Sequence, residues 1–143
     1  MADRWVWKSW CEDGQYKTLV NNWLIAQDKY IQTAFKARVR YLDGQPPQNW
    51  RRPFVSTLEG GKKERGKGCK GLIEIRFEVN NVQYRPLGYY SGERQFTILY
   101  FATEVGGKFE PETACEIAKT RKAEIEINPK KADEWWIEKR TGE

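Results

Sequence analysis

The sequence predicts an α+β domain: an N-terminal strand, a helical hairpin, a three-stranded antiparallel meander and a C-terminal helix. Three observations predict it. Residues Leu72 to Val79 alternate strictly between the two sides of a strand and end at Asn80-Asn81. Residues Gln15 to about Leu42 instead repeat apolar positions at helical spacing. Helical spacing returns only over Pro111 to Ile125, after the β-rich stretch, so strands and helices are segregated along the chain.

Taken in order, Arg4-Trp-Val-Trp-Lys-Ser-Trp10 alternates and is rich in aromatics, which predicts an opening strand closed by a turn at Glu12-Asp13-Gly14. Leu19, Val20, Trp23 and Leu24 make one apolar stripe, and Tyr30, Ile31, Ala34, Phe35, Val39 and Leu42 a second. Asp28 stands where a helix cap is needed, so the hairpin breaks near Gln27-Asp28. Gly44-Gln45-Pro46-Pro47 stops it. The stretch from 59 to 70 is rich in glycine and lysine and reads as a basic linker. In the first meander strand Ile73, Ile75, Phe77 and Val79 point one way, and Leu72, Glu74, Arg76 and Glu78 the other. Val82 to Tyr90 is the return strand, with Pro86 arguing for an edge or a bulge. Gln95 to Thr103 is apolar on both sides and reads as central, and Gly106-Gly107 breaks it. Pro111 suits the first turn of the last helix. The expected organisation is one domain over residues 1–125, containing the linker, and a C-terminal extension over 126–143 that carries Trp135-Trp136-Ile137.

With 39% hydrophobic and 31% charged residues in 143, the composition is that of a globular chain rather than a disordered one. No apolar run approaches a membrane span or the core of a signal peptide, so no membrane partner and a cytoplasmic location are expected. The chain has no histidine, which removes His-dependent triads, Cys-His dyads and His-ligated metal sites. Cys11, Cys69 and Cys115 are odd in number and not in CxxC spacing, so they are expected as reduced thiols, with neither a disulfide framework nor a zinc site. No metal and no cofactor are expected. The glycines at 60, 61, 66 and 68 do not have the spacing of a phosphate-binding loop.

Charge is uneven. Residues 36–70 carry ten basic and three acidic groups, whereas the flanking windows 1–35 and 71–109 are balanced. Such an excess is the footprint of a polyanion partner, or else a solvated, solubilising loop.

The chemistry falls on the polar side of the first meander strand. Glu74 and Arg76 are two apart and share that side, and Arg85 on the hairpin partner lies across from them. Lys70 and Lys67 lead into the same strand. A carboxylate flanked by guanidinium groups is what phosphoryl chemistry without a metal would use. The arginines would hold the phosphate and the extra charge of the transition state. The carboxylate, or a lysine or tyrosine of lowered pKa, would take the ribose 2′-hydroxyl proton. By alternation alone, the same set reads as a cross-strand ion-pair ladder on a solvated face.

The run Lys70-Gly-Leu-Ile-Glu-Ile-Arg76, then Tyr84-Arg85, a hydrophobic strand, and a final helix with Ala118 and Arg121 resembles the phage-derived branch of the RelE/HigB toxin superfamily. The similarity covers roughly residues 70–123; residues 15–42 match the family's helical hairpin by type only. The resemblance implies a RelE/ParE-like fold and metal-free endonucleolytic cleavage of mRNA, possibly on the ribosome. It also implies neutralisation by a cognate antitoxin that covers the basic face. It places Glu74, Arg76, Arg85 and Lys70 in the catalytic set. Arg85 falls on the scissile phosphate, and Glu74 acts as base or orients the arginines. Two departures stand out. After the third strand the family's lysine pair is replaced by Thr103-Glu104-Val105-Gly106-Gly107-Lys108, and Tyr84-Arg85 is followed by Pro86-Leu87-Gly88. Either departure suits an alternative: a phage-encoded binding module of weakened catalysis that engages nucleic acid or a host protein. A structural phage protein with an aromatic oligomer interface is a third reading.

RNA capture is expected from Lys62, Lys63, Arg65, Lys67, Arg51 and Arg52, with Trp50 as a stacking platform beside the last two. Trp5, Trp7, Trp10 and Trp23 sit at strand and helix spacing and read as core. Trp135-Trp136 reads equally as an interface or as a tail folded back on the sheet.

Overall fold

A computed structural model describes residues 4–12, 19–60 and 68–137. It contains β1 (Val6–Trp10), α1 (Leu19–Ala26), α2 (Lys29–Asp43), β2 (Val55–Thr57), β3 (Ile73–Ile75) and β4 (Phe77–Val79). These are followed by β5 (Val82–Gly92), β6 (Gln95–Val105), β7 (Lys108–Glu110), α3 (Ala114–Ile127) and β8 (Ala132–Glu134). The strands form one eight-stranded mixed sheet, ordered β2-β3-β5-β6-β1-β8, with β4 also on β5 and β7 folded back on β6. β1 runs parallel to β6, while the other pairs are antiparallel.

This corrects the expected architecture. The chain is a mixed α+β fold of three α-helices and an eight-stranded sheet among the described residues, not a three-stranded meander with a helical hairpin. The reason is physical. β2, β7 and β8 have three residues each, too few to show a periodicity, and exist because β3, β6 and β1 offer them hydrogen bonds. The β1–β6 pairing joins residues about ninety positions apart, which no local pattern records.

Helices cover both faces of the sheet. Val20 of α1 and Phe35, Val39 and Leu42 of α2 pack with Trp5, Trp7, Ile73, Ile75, Phe77, Phe96 and Ile98. On the opposite face Ala114, Cys115, Ala118 and Ile125 of α3 pack with Leu72, Leu87, Leu99, Ala102 and Phe109. Asp28 caps α2, its carboxylate accepting from the backbone N–H of Tyr30 and Ile31. At the far end of α2, buried Asp43 accepts from the Trp5 backbone N–H at 3.1 Å and the Trp7 indole at 3.0 Å, which ties the helix to β1. Asn80 and Asn81 take positive φ in the β4–β5 turn.

β5 is an interior strand, and Pro86 is accommodated beside a register shift at Leu87/Gly88. Gly88 is obligatory there, since a Cβ would stand 2.2 Å from the Thr97 carbonyl oxygen. Residues of the expected extension are part of this body. Ala132–Glu134 pair with β1, and Trp135 is buried against Trp7 and Phe35.

The cysteines need a correction. Cys69 and Cys115 are joined in a disulfide that spans 46 residues, and Cys11 is a buried thiol outside it, donating to the Lys130 carbonyl. The bridge links the residue before Lys70 to the first turn of α3, a proximity created by the fold alone.

A buried arginine–glutamate cluster as the candidate functional site

The polar side of β3–β5 lies on the α3 face. Glu74 is opposite Leu87 and Phe77 is opposite Tyr84, so the register sets Arg76 opposite Arg85. The expected strand 72–79 is interrupted at Arg76, where the chain leaves β3 and enters β4. That break is held on both sides. The Arg76 N–H donates to the Phe54 carbonyl at 2.9 Å, and the Arg76 carbonyl accepts from the Arg38 guanidinium at 2.7 Å. Arg38 in turn lies 4.7 Å from the Phe54 ring centre.

Two guanidinium groups directly across a ladder repel one another. Two carboxylates offset this. Glu74 pairs with Arg76 at 2.5 Å and approaches Arg85 at 3.9 Å. Glu104, on β6 beyond Arg85, accepts from Arg85 Nε at 2.9 Å. The Arg85 guanidinium also donates to the Tyr84 carbonyl at 2.9 Å and to the Gln83 amide oxygen at 3.0 Å. The four side chains Glu74, Arg76, Arg85 and Glu104 thus form a charge-balanced row across three strands.

The row is not open. Glu74 has no exposed surface and Arg85 only 3%, while the side chains of Arg76 and Glu104 retain 19% and 18%. Burial pushes the Arg85 guanidinium below its ordinary value, and the Arg76 charge adds to that; Glu104 and Glu74 act the other way. Arg85 remains a cation in any case. Tyr84 projects to the α1–α2 side, stacked on Phe77, and burial raises its pKa, as it does for Tyr89 and Tyr90, the opposite of what a base would need.

The sequence-predicted residues therefore divide. Glu74, Arg76 and Arg85 are brought together. Among the described residues, Lys70 is exposed in the turn before β3 and has no contact with the cluster. It marks the neck of the basic linker: a Cβ on Gly60 would lie 2.6 Å from the Lys70 Cβ, so the two ends of the linker meet. Lys62, Lys63, Arg65 and Lys67 lie outside the described residues. Arg51 and Arg52 are exposed in the turn before β2, next to the Phe54 carbonyl that holds Arg76. Trp50 is no surface platform. It is 6% exposed, stacked on Trp5 at 3.9 Å, and its indole donates to the Leu42 carbonyl. The apolar environment of Trp5, Trp7 and Phe96 claims it before a nucleobase could.

Two residues of this cluster were not in the predicted set. Arg38 carries no signal beyond its helical position. Glu104 carries one, since it stands where the resemblance calls for lysine. Away from the cluster, α3 and Trp10 border a groove of about 470 Å³. Its Arg121 lies 3.9 Å above the Trp10 ring centre and donates to the Leu99 carbonyl.

Among the described residues no group of three or more His, Cys, Asp or Glu side chains could hold a metal ion. No helix among them is long and apolar enough to cross a membrane. No protein-family model, curated protein or solved structure matches the chain.

Proposed function

We propose that the chain binds RNA through phosphate contacts at the Arg76 end of the sheet, as a protein of RelE/HigB-like function whose site is set for binding rather than cleavage in the state described. The observation that carries this reading is the saturation of Arg85. Its guanidinium is buried and donates to Glu104, Gln83 and the Tyr84 carbonyl, so a phosphate meets Arg76 first. Arg51 and Arg52 are exposed in the turn whose Phe54 carbonyl accepts from the Arg76 N–H. Phosphate contacts of this kind give affinity without sequence preference. A cognate antitoxin would act by laying acidic side chains over the same cations.

The endoribonuclease reading is favoured by a different observation: Glu74, Arg76 and Arg85 do converge. In that reading Arg76 and Arg85 would share the scissile phosphate, and Glu74 would orient them.

Fluorescence anisotropy of a labelled single-stranded RNA against salt concentration tests both. The expected result is binding that weakens with salt, with a log–log slope of about −0.7 for each phosphate contacted. The triple variant Arg51→Ala/Arg52→Ala/Arg76→Ala should have a shallower slope by roughly two units. Absence of salt-dependent binding, or an unchanged slope in the triple variant, overturns the proposal. RNA fragments formed by the wild type in EDTA, with or without ribosomes, and lost in Arg76→Ala, would establish the nuclease reading instead.

A further inference from the structure

We infer that Glu104 is the specificity-determining residue of this site: an internal carboxylate that occupies the place of a phosphodiester on Arg85 and must swing out before Arg85 can hold RNA. The inference rests on the RNA-binding reading and deepens it.

Its basis is charge and geometry. A carboxylate and a phosphodiester each present two oxygens and one negative charge to a guanidinium, and arginine binds both in the same manner. Arg85 Nε is engaged by Glu104 at 2.9 Å, closer than Glu74 at 3.9 Å. The rest of the guanidinium donates to neutral groups, the Tyr84 carbonyl and the Gln83 amide oxygen. With Glu74 and Glu104 set against Arg76 and Arg85, the row has no surplus positive charge. A phosphate added to it would be one negative charge too many, so entry and departure of the Glu104 carboxylate are linked.

Glu104 is also placed to leave. It is the last residue but one of β6, and its side chain is partly exposed. β6 then closes on β7 through Gly106 and Gly107, both at positive φ, with Val105 exposed beside the turn. Both carboxylates stand on strands paired on two sides, Glu74 with β2 and β5 and Glu104 with β5 and β7, but Glu74 has no exposed surface and faces both arginines. Glu74 therefore holds the arginines in place, while Glu104 competes for one of them. The site so built would take a phosphodiester of single-stranded RNA, and would favour it over weaker anions because the ligand has to displace a carboxylate.

The test compares wild type, Glu104→Gln and Glu104→Asp in RNA anisotropy titrations over a salt series, with thermal melts as a control for folding. Gln keeps an acceptor oxygen for Arg85 and removes the charge. The expected result is RNA binding about tenfold tighter at low salt and a salt slope steeper by about 0.7, the signature of one more phosphate held. Glu104→Asp keeps the charge and should stay near wild type in slope. A second measurement needs no variant: inorganic phosphate added to the ¹⁵N-labelled wild type should shift the Arg85 Nε–H resonance, assigned through bonds. Wild-type binding of the expected salt dependence that is unchanged in Glu104→Gln, together with an Arg85 resonance unmoved by phosphate, overturns this inference and leaves the RNA reading standing. No salt-dependent RNA binding by either protein overturns both.

Discussion

The two faces of the sheet are sealed by different chemistry. Beneath α1 and α2 the fill is aromatic: Trp7, Trp23, Phe35, Phe77, Phe101 and Trp135 touch in edge-to-face and stacked pairs, with Trp23 on Phe101 at 4.1 Å. Beneath α3 the side chains are smaller, Leu, Ala and one Phe, and the helix is fastened by the Cys69–Cys115 bridge. Large rings fill an interior by themselves, and each buries on the order of 150–250 Å². The α3 face also carries the Glu74–Arg76–Arg85–Glu104 row. The difference teaches how each face holds buried charge: on the aromatic face the Asp43 carboxylate is met by the Trp5 N–H and the Trp7 indole, whereas on the α3 face carboxylates and guanidinium groups neutralise one another.

The largest effect should come from breaking the aromatic face. Phe35 has no exposed surface and meets Trp23, Phe77, Phe101 and Trp135. Phe35→Ala should lower unfolding free energy by about 4–5 kcal/mol, read by chemical denaturation. A loss below about 1 kcal/mol would mean that this side is not the principal core. Next is the bridge. Closing a loop of 46 residues should stabilise by about 4 kcal/mol through the unfolded chain, so Cys115→Ser should lose most of that amount while the far-side aromatic near-UV signal persists. If the signal collapsed as well, the two faces would not be separable.

What the sequence made legible follows from periodicity. The alternation at 72–79, the Asn80-Asn81 turn, the Asp28 cap and the core positions of Trp5 and Trp7 are local statements, and they stand at those residues. The polar neighbours Arg51 and Arg52 suggest an exposed Trp50, whereas the rings that bury it, Trp5 and Trp7, are distant in sequence. The disulfide, the parallel β1–β6 ladder and the short strands β2 and β8 are illegible for the same reason. Within the site, alternation put Glu74, Arg76 and Arg85 on one side correctly. It could not show that Glu74 and Arg85 are buried, nor that Glu104 on β6 pairs with Arg85.

The row itself gives the third prediction. Removing Arg85 leaves Glu74 and Glu104 facing across buried space with one cation between them, so Arg85→Ala should cost about 3 kcal/mol. Arg85→Ala/Glu104→Ala removes one charge of each sign and should recover part of that loss. A double-mutant cycle by urea denaturation checks this. An interaction energy near zero would mean that Glu104 and Arg85 are not coupled, and the charge-balanced row would fall with it.

The smallest effect sharpens the comparison most. The Asp28 carboxylate satisfies two N–H groups at the start of α2 and places a negative charge at the helix N-terminus. Asp28→Ala should cost about 1 kcal/mol, and Asp28→Asn, which keeps the acceptor, only a few tenths. Asp28 belongs to the aromatic side and Cys115 to the other, with the thickness of the sheet between them. Their effects should therefore add to within about 0.5 kcal/mol in Asp28→Ala/Cys115→Ser. Additivity follows if each face is sealed by its own contacts. A larger discrepancy would show that the sheet transmits strain from one face to the other, and then the aromatic packing and the charge-balanced row could not be treated as independent seals.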